Sequence, residues 1–352
     1  MKLLNTMNLK HISFLALYLS AQAANNFAAA QTPPVSAAQA TSIAVVAVEP
    51  KSINDWLLRL HEASKRRSYI GTYVVSSGGQ MQSAKIWHVC EGTQQVERVE
   101  SLTGAPRSTF RHNEKVVTFM PEQKVVRSEK RDVMGSFPEL VQSADNRIAE
   151  FYKLKTEGVE RIAGLESDVV LLVPKDAMRF GYRVWTEQKK GLVVKLQTLD
   201  LDGRVLEQAA FSELQLDAPV KMEKLLQMMS KVDGYRVEES ALVKTTASAE
   251  GWRLATPVAG FKPLSCYKRP VSGVSGGTGV DEPMQWVFSD GLASISLFVE
   301  PFDRQRHHKE AAMSLGATHT MTRQLGSYWL TAMGEVPMST LKQFASGLER
   351  KK

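Results

Sequence analysis

The 352-residue chain contains few of the residues and spacings from which catalytic and metal-binding sites are built. Its seven histidines show no metal-ligand spacing, and the adjacent pair His307-His308 cannot share one face of a helix or strand. The glycine-rich stretch Gly273–Gly279 contains no lysine and does not fit a phosphate loop. Asp200 and Asp202 begin like a calcium loop but lack its downstream ligands, so we interpret them as part of a hairpin turn. We therefore predict no enzymatic activity, no metal and no cofactor.

Cysteine is also scarce, because the chain contains only Cys90 and Cys266. One cysteine in each of two predicted domains does not make a disulfide framework. A disulfide bond between the domains and two separate, largely buried thiols both fit the sequence. We favour the separate thiols.

The apolar stretch at the N-terminus, Ile12–Leu19, is far shorter than the roughly 20 residues that cross a bilayer as a helix. It follows Lys2 and Lys10 and precedes small residues that fit a cleavage site, which is the pattern of a secretory signal peptide over residues 1–30. The alternative is a signal anchor that remains uncut. No cysteine lies near the cleavage region, which argues against a lipid anchor. We predict a periplasmic location.

Basic residues outnumber acidic residues, and the net charge is +7. Removing residues 1–30 removes Lys2 and Lys10 and no acidic residue, which leaves +5. A basic exported protein favours anionic partners, such as acidic polypeptide segments, anionic lipid or lipopolysaccharide. Nucleic acid is the other usual partner of a basic protein, but the export signal and the lack of a matching motif argue against it.

The C-terminal part of the chain contains a basic cluster. It consists of Arg304, Arg306, His307 and His308, next to Lys309. We predict that this cluster contacts an anionic partner. The alternative is a solvated loop whose charges keep the protein soluble.

The chain is too long for one ordinary core, and its patterning divides it into segments. Residues 31–50 are rich in Ala, Gln, Thr and Pro and are predicted to be a flexible linker. Residues 51–218 are predicted to form a domain of antiparallel strands, 219–250 a helical linker, and 251–350 a smaller, sheet-rich α+β domain. The predicted fold class is therefore α+β with mostly antiparallel strands.

Two amphipathic helices are predicted beside the first sheet. Ser52 is placed to cap a helix over residues 52–64, with Trp56 and Leu60 on its apolar face. A second helical segment is predicted over residues 137–152, as an insertion between strands. Because an antiparallel sheet with an open apolar face must be closed or covered, we expect these helices to plug the sheet.

The most regularly patterned stretch, Tyr182–Gln208, predicts three strands separated by turns at Lys189–Gly191 and Asp202–Gly203. This stretch carries no catalytic set, so we interpret the sheet as a binding surface. Four aromatic residues lie on predicted strands of this domain: Tyr73, Trp87, Phe119 and Trp185. Core packing is one interpretation of these residues. The other is an apolar pocket in a curved sheet, which would hold a lipid chain.

Five segments in this order resemble the RseB/MucB family of periplasmic regulators of the envelope-stress sigma factor. The segments are DWLLRLHEASKRRSYIGTYV, YRVWTEQKKGLVVKLQTLDLDGRVLEQ, PVAGFK, VFSDGLASISLFVE and GEVP. The resemblance runs from Ser52 to Leu348. The segment that begins at Tyr182 also resembles the hairpin of the LolA/LolB lipoprotein carriers, so the first domain is expected to be a LolA/LolB-like half-barrel with a helical plug.

The resemblance implies a function for the sheet. Proteins of this family bind the periplasmic domain of an anti-sigma factor of the RseA/MucA type and shield it from a site-1 protease, and lipid or lipopolysaccharide signals lift the shield. The rival function is a periplasmic carrier of lipids or lipoproteins, which leaves the second domain without a role. A periplasmic hydrolase is a third class, for which the sequence offers no supporting residues. The sequence leaves open whether the protein forms a homo-oligomer.

Overall fold

The computed structural model describes residues 52–130, 137, 147–240, 242–268 and 283–351. The predicted signal peptide, the predicted linker over 31–50 and most of the helical segment predicted over 137–152 lie outside these residues. In the described part of the chain, no helix is both long enough and apolar enough to cross a membrane.

The first helix, α1 (Ile53–Arg66), begins where the sequence predicts it. The Ser52 hydroxyl accepts a hydrogen bond from the Asp55 backbone N–H at 3.0 Å and donates one to the Asp55 carboxylate at 2.8 Å. The first bond satisfies an N–H group that has no partner within the first helical turn. Trp56 and Leu60 are both buried, so the predicted apolar face is confirmed.

In the described residues, twelve strands form the first sheet. They are β1 (Tyr69–Ser77), β2 (Gln80–Glu91), β3 (Gln94–Ser101), β4 (Ser108–His112), β5 (Lys115–Met120), β6 (Val125–Lys130), β7 (Tyr152–Ile162), β8 (Leu165–Pro174), β9 (Gly181–Glu187), β10 (Val193–Leu199), β11 (Val205–Leu216) and β12 (Arg236–Ser240). Their order is β12-β6-β5-β4-β3-β2-β1-β11-β10-β9-β8-β7. Short turns join most neighbours, which makes those pairs antiparallel, as predicted. A short helix, α2 (Ile148–Phe151), precedes β7.

The stretch Tyr182–Gln208 forms parts of β9, β10 and β11, in agreement with the prediction. At the second turn, the Asp200 carboxylate accepts backbone N–H groups from Asp202 at 2.9 Å and Arg204 at 2.8 Å. It also accepts the Arg204 Nε–H at 2.7 Å. The carboxylate is therefore used within the hairpin, which confirms the turn interpretation.

The segment 219–250, predicted as a helical linker, is helical only over α3 (Met222–Ser230) within the described residues. After α3, β12 pairs in parallel with β6, and Arg127 lies 2.9 Å from Glu238 in an ion pair between these strands. The strand β13 (Val243–Lys244) then belongs to the second sheet. The helical prediction is wrong here because β12 depends on a partner strand 111 residues earlier, which local propensity does not contain.

The remaining strands build the second sheet and one small pair. They are β14 (Trp252–Leu254), β15 (Lys262–Lys268), β16 (Met284–Ser289), β17 (Ser294–Pro301), β18 (Ala311–Leu315), β19 (Thr318–Leu325), β20 (Tyr328–Gly334) and β21 (Leu348–Arg350). The second sheet has the order β13-β15-β16-β17-β20-β19-β18, and β14 pairs separately with β21. Strands β16 and β17 form a hairpin with Asp290 and Gly291 in its turn.

The last helix, α4 (Met338–Gly347), begins directly after Pro337. Its residues Leu341 and Phe344 are completely buried in one core with Ile295 and Leu297 of β17. The predicted fold class is confirmed: mostly antiparallel strands with few helices, and a second, smaller sheet-rich unit.

Both cysteines are free thiols, as favoured from the sequence. Cys266 is buried, and burial raises the pKa of its thiol to about 11. Cys90 is half-buried, and burial raises the pKa of its thiol too. A raised pKa keeps a thiol protonated and unreactive near neutral pH.

Candidate functional site

The four aromatic residues predicted to line a lipid pocket do not surround one cavity. Tyr73 lies directly opposite Ala84, and Ala84 is three residues from Trp87, so Tyr73 and Trp87 lie on opposite faces of the sheet. Tyr73 and Trp185 belong to one apolar cluster, whereas Trp87 and Phe119 lie in two clusters that side chains of α3 cover. The predicted grouping is wrong because the register between paired strands decides which face each residue occupies, and residues on separate strands do not share a face merely because each alternates within its own strand.

Tyr73 is a packing residue. Its ring centroid lies 6.0 Å from that of Phe211 and 5.5 Å from that of Phe137. Burial, with a further contribution from the Glu97 carboxylate, raises the pKa of the Tyr73 hydroxyl to about 12. The contacts of this ring are thus supplied by the protein itself.

Trp185 is also a packing residue, with 2% of its surface exposed. Its indole Nε1–H donates to the Glu160 carboxylate at 2.8 Å. The Lys195 ammonium lies 4.0 Å from the centroid of its ring, which is a cation–π contact. A ligand would have to displace these partners to reach the indole.

The first sheet does carry one open depression, which we call the α3 groove. It has a volume of about 400 Å³ and lies between α3, the β3–β4 turn and the segment that leads into β12. Its lining residues are Arg98, Glu100, Ser101, Pro106, Arg107, Ser108, Phe110, Phe119, Pro121, Met228, Lys231, Asp233 and Tyr235. Of the four aromatic residues predicted to line a pocket, only Phe119 borders this groove.

Aromatic rings line the apolar part of the α3 groove. Phe119 makes edge-to-face contacts with Phe110 at 5.6 Å and with Tyr235 at 5.5 Å between ring centroids. Met228 of α3 lies in the same apolar cluster. Phe110 and Phe119 are buried, so the accessible apolar surface comes mainly from Tyr235 and the flexible Met228, which suit an acyl chain or an apolar side chain.

Arg98 places positive charge in the α3 groove at a defined position. Its guanidinium carbon lies 4.7 Å from the Trp87 ring centroid and 5.6 Å from that of Phe110. Its Nε–H donates to the Ser108 hydroxyl at 3.0 Å, and Nη2 donates to the Glu100 carboxylate at 2.8 Å. Trp87, predicted to line a pocket, therefore serves as a support for this guanidinium.

The charge around the groove is mixed but mainly positive. Arg107 and Lys231 are exposed lining residues and add to Arg98, against the carboxylates of Glu100 and Asp233. A cationic rim around an apolar floor fits an anionic amphiphile or an acidic segment with apolar side chains. Arg98 and Phe110 are not among the site residues predicted from the sequence, although the pairing of β3 with β4 places these two residues directly opposite each other.

The junction of the two sheets is built around Arg179, whose side chain is completely buried. This residue lies between β8 and β9 and donates to the Asp290 carboxylate at 3.1 Å and to the Ala259 carbonyl at 2.8 Å. The rings of Phe151 and Phe261 lie 4.3 Å and 5.2 Å from its guanidinium carbon. One guanidinium is thus satisfied by groups from both sheet units.

Asp290 completes this junction. Its carboxylate accepts the Tyr152 hydroxyl at 3.2 Å and the backbone N–H groups of Leu292 and Ala293 at 2.9 Å and 2.8 Å. Burial raises the pKa of Asp290, whereas these hydrogen bonds and Arg179 oppose the increase. A buried ion pair with this many donors is costly to break from one side only, because the remaining charge stays buried.

A second contact joins the sheets at the turn between β18 and β19. A side chain at Gly316 would collide with the Ser77 hydroxyl, and it would approach the Leu206 carbonyl to 3.2 Å. The neighbouring Leu315 side chain lies against Gly78, where a Cβ would come within 2.6 Å of it. The tip of this hairpin is therefore packed closely on the β1–β2 turn.

The predicted basic cluster is only partly available to a partner. His307 is buried, its ring is stacked on Trp329 at 4.9 Å, and its Nε2 lies 3.1 Å from the Glu300 carboxylate. Arg306 lies 2.9 Å from Asp303 and 3.3 Å from Glu300 in ion pairs. The sequence could not show this, because Trp329 and Glu300 come from other strands.

The other members of the cluster keep the predicted exposure: Arg304, His308 and Lys309 are all exposed. In the part of the chain that the structure describes, no three His, Cys, Asp or Glu side chains come together as a metal site would require.

Models of two family domains match the chain. The MucB/RseB N-terminal domain matches residues 52–229, and the MucB/RseB C-terminal domain matches residues 246–349. The chain belongs to the MucB/RseB family. The two matches cover both sheets except β12 and β13, and the family membership predicted from the sequence is confirmed.

Curated relatives of this family member share its length. It is 28% identical over 321 residues to the "Sigma factor AlgU regulatory protein MucB" of Pseudomonas aeruginosa, covering 86% of this chain and 92% of the relative. It is 21% identical over 295 residues to the "Sigma-E factor regulatory protein RseB" of Escherichia coli K12, covering 83% and 89%. These names describe regulatory proteins, and the prediction that this family member is not an enzyme is confirmed.

Solved structures of the family have the same fold. The structure described as "MucB in complex with MucA(peri)" aligns with a TM-score of 0.64 at 24% identity, covering 86% of this chain and all of that one. The crystal structure of MucB aligns with a TM-score of 0.62 at 22% identity, covering 84% and 97%.

Proposed function

We propose that this protein resides in the periplasm, binds the periplasmic domain of an anti-sigma factor of the RseA/MucA type and shields it from site-1 proteolysis. The observation that carries the proposal is the match of both sheet units to a family of sigma-factor regulators, with a relative solved in complex with MucA(peri). The predicted signal peptide supports the location.

The fold is suited to holding a partner that is flexible when free. The buried pair of Arg179 and Asp290 and the close contact of Gly316 with Ser77 give two separate attachments between the sheet units. A surface that is already ordered loses little conformational entropy on binding, so the cost of ordering falls on the partner. Both units are therefore required for tight binding.

Lipid or lipopolysaccharide signals release the partner in this proposal. The α3 groove supports this step, because its apolar floor suits an acyl chain and the exposed Arg107 and Lys231 suit phosphate groups. If lipid binding and partner binding oppose each other, each must weaken the other by the same factor. The groove is also the observation that favours a lipid or lipoprotein carrier as the alternative function.

The test is a protease assay with the purified periplasmic domain of the anti-sigma factor. The mature protein should slow the first cut by the site-1 protease, and lipopolysaccharide with a lipid should restore cutting. Equal cutting with and without the folded protein would falsify the regulatory proposal. Transfer of a labelled lipid between vesicles, with no effect on cutting, would instead support the carrier.

Variants of the groove separate the signal from the binding step. Arg107→Glu with Lys231→Glu should preserve protection and weaken the response to lipopolysaccharide, because the partner-binding surface is kept while the groove loses its exposed positive charge. Arg204→Glu is the matched control, since Arg204 is an exposed arginine at a hairpin turn of the same sheet. If the double variant responds to lipopolysaccharide as the wild type does, the groove is not the site of the signal.

A further inference from the structure

The outer strands of the two sheets differ in charge. Among the described residues the outer strands are β12 and β7 in the first sheet and β13 and β18 in the second. β12 has the sequence RVEES and β7 the sequence YKLKTEGVERI, so both carry several charged side chains. β18 has the sequence AAMSL, without any charge.

Charge on an outer strand has a known physical role. The outer edge of a sheet leaves backbone N–H and C=O groups unpaired, and these can bind a further strand from another chain. Proteins prevent such pairing with charged side chains, with proline or with very short strands. β12 and β7 follow this rule through charge, and β13 through its length of two residues. β18 has neither charged side chains nor proline, and with five residues it is longer than β13.

The side chains of β18 are also open. Ala311, Ala312, Met313 and Ser314 are all exposed, and Met313 has 61% of its surface exposed. A methionine adapts its shape to different apolar partners, which suits it to a binding surface. An uncharged edge with an exposed methionine is thus available along its length in the described structure.

β18 is held firmly at both ends. At its start, the Ala311 N–H donates to the Thr322 hydroxyl at 3.0 Å, and the preceding Glu310 carboxylate accepts the Gln324 N–H at 2.8 Å. At its end, Leu315 and Gly316 pack on the β1–β2 turn. An edge that is already extended and fixed binds a strand at low entropic cost.

The charge next to β18 indicates the kind of partner. Exposed Arg304, His308 and Lys309 lie in the segment before the strand, whereas the charge of Arg306 is neutralised by Glu300 and Asp303. Glu310, between Lys309 and the strand, is also exposed, and its carboxylate is turned to the Gln324 backbone N–H. This arrangement favours an extended segment whose central residues are uncharged and which has acidic residues at one end. A second copy of this chain carries the same net positive charge, so long-range charge favours an acidic peptide over self-pairing.

We infer that β18 is the edge on which an extended segment of the anti-sigma factor's periplasmic domain adds as a further strand, with its acidic residues against Arg304 and Lys309. This inference rests on the proposed function and assigns it a surface. Main-chain hydrogen bonds then supply affinity, and Met313 and the basic residues supply selectivity. It also gives a role to the basic cluster that the sequence singled out.

The first experiment places one charge on the edge. Met313→Lys should weaken binding of the purified periplasmic domain by at least about tenfold, because a lysine on an outer strand opposes strand addition. Leu264→Lys is the matched control, because Leu264 is 47% exposed on β15, five strands away in the same sheet. This control should bind within about twofold of the wild type, as expected for an exposed site away from the contact.

A second variant and a direct measurement complete the test. Lys309→Glu should slow association at low salt and reduce its salt dependence, since charges at the rim act mainly on the association rate. Hydrogen exchange of the wild-type complex should show new protection over residues 311–315. Unchanged affinity of Met313→Lys together with no new protection overturns the inference, even if the variant is less stable.

Three outcomes remain distinct. If the wild type binds the partner and the β18 variants bind equally well, β18 is not the binding site, but the proposed function stands. If the wild type does not bind the partner, both the proposed function and the inference about β18 are overturned. Protection of residues 311–315 that appears without partner as the protein concentration rises identifies a second copy as the occupant and also overturns the inference.

Discussion

The two sheets bury their apolar residues in different ways. Among the described residues, the second sheet and α4 share one continuous core that includes Phe344, Ile295 and Leu330, all without exposed surface. The first sheet divides its apolar residues into several smaller clusters, which lie against α1, against α3 or between strands. A large sheet covered by short helices keeps gaps between its clusters, and the α3 groove is one of these gaps.

The comparison of the two sheets distinguishes residues that mainly stabilise the fold from residues that border a possible binding site. In a continuous core each side chain packs against many others, so truncating any one of them lowers the free energy of unfolding substantially. Residues that border a groove have fewer partners on that side: Phe119 retains 7% of its surface exposed, against none for Phe344, so it contributes less to stability. Both kinds of residue are aromatic here, and the sequence alone does not distinguish them.

The largest expected effect is the truncation of an aromatic residue in the continuous core. Phe344→Ala should lower the free energy of unfolding by about 3–5 kcal/mol, because it opens a cavity in a closed core. Phe119→Ala should cost about 2 kcal/mol, because one side of this ring already borders the groove. Urea denaturation measures both, and an equal loss for the two variants would contradict the comparison.

The next effect concerns the ion pair that joins the two sheets. Arg179→Ala should lower the free energy of unfolding by about 3 kcal/mol, because Asp290 stays buried without its main counter-charge. Tyr152 and two backbone N–H groups still bind this carboxylate, which limits the loss. Thermal denaturation should then show the two sheets unfolding separately, since a shared attachment is gone.

Two further variants control this prediction. Arg179→Met combined with Asp290→Leu should recover much of the lost stability, because no charge remains buried. Arg204→Ala removes an exposed arginine that pairs with Asp200 and should produce no measurable change. A double variant as unstable as Arg179→Ala would show that the charge is not the cause.

A smaller effect is expected at the second attachment. Gly316 and Gly326 both have positive φ angles, +57° and +61°, in turns of the second sheet. Alanine at either position should cost about 1 kcal/mol through backbone strain. Gly316→Ala should cost roughly 1 kcal/mol more, because its Cβ meets Ser77 and Leu206 whereas the Cβ at Gly326 meets nothing within 4 Å. Equal melting temperatures of the two variants would show that the contact between the β18–β19 turn and the first sheet does not contribute to stability.

The smallest effect at neutral pH belongs to the Tyr73 hydroxyl of the first sheet, whose contribution to stability changes only at alkaline pH. The pKa of Tyr73 is raised from 10.0 to about 12 in the folded protein, so the folded state holds this proton more firmly than the unfolded state does. The stability that Tyr73 contributes is therefore complete below about pH 10 and is lost as the pH rises to about 12.

Tyr73→Phe should remove this part of the loss. Its melting temperature should fall less steeply than that of the wild type between pH 9 and pH 12, while the two proteins behave alike near neutral pH. Absorbance titration of the phenolate gives an independent measure of the same pKa. Identical slopes of melting temperature against pH would mean that Tyr73 ionises alike in both states.

Much of the fold could be predicted from local patterns. The hairpin around Asp202-Gly203 is confirmed, because a turn and two alternating strands lie within about 20 residues and need no distant partner. The cap of α1 by Ser52 is confirmed for the same reason. The candidate site was less predictable, since the residues of the α3 groove come from three separate parts of the chain.

Taken by itself, the sequence determined where most of the strands and turns and the start of α1 lie and which family the chain belongs to, because these depend on neighbouring residues and on their order. The tertiary structure decided which face each aromatic residue occupies, that His307 is buried against Trp329, and that β12 pairs with β6. It also decided that Arg179 meets Asp290. Each of these depends on contacts between residues far apart in the chain, which form only when the sheets close around them.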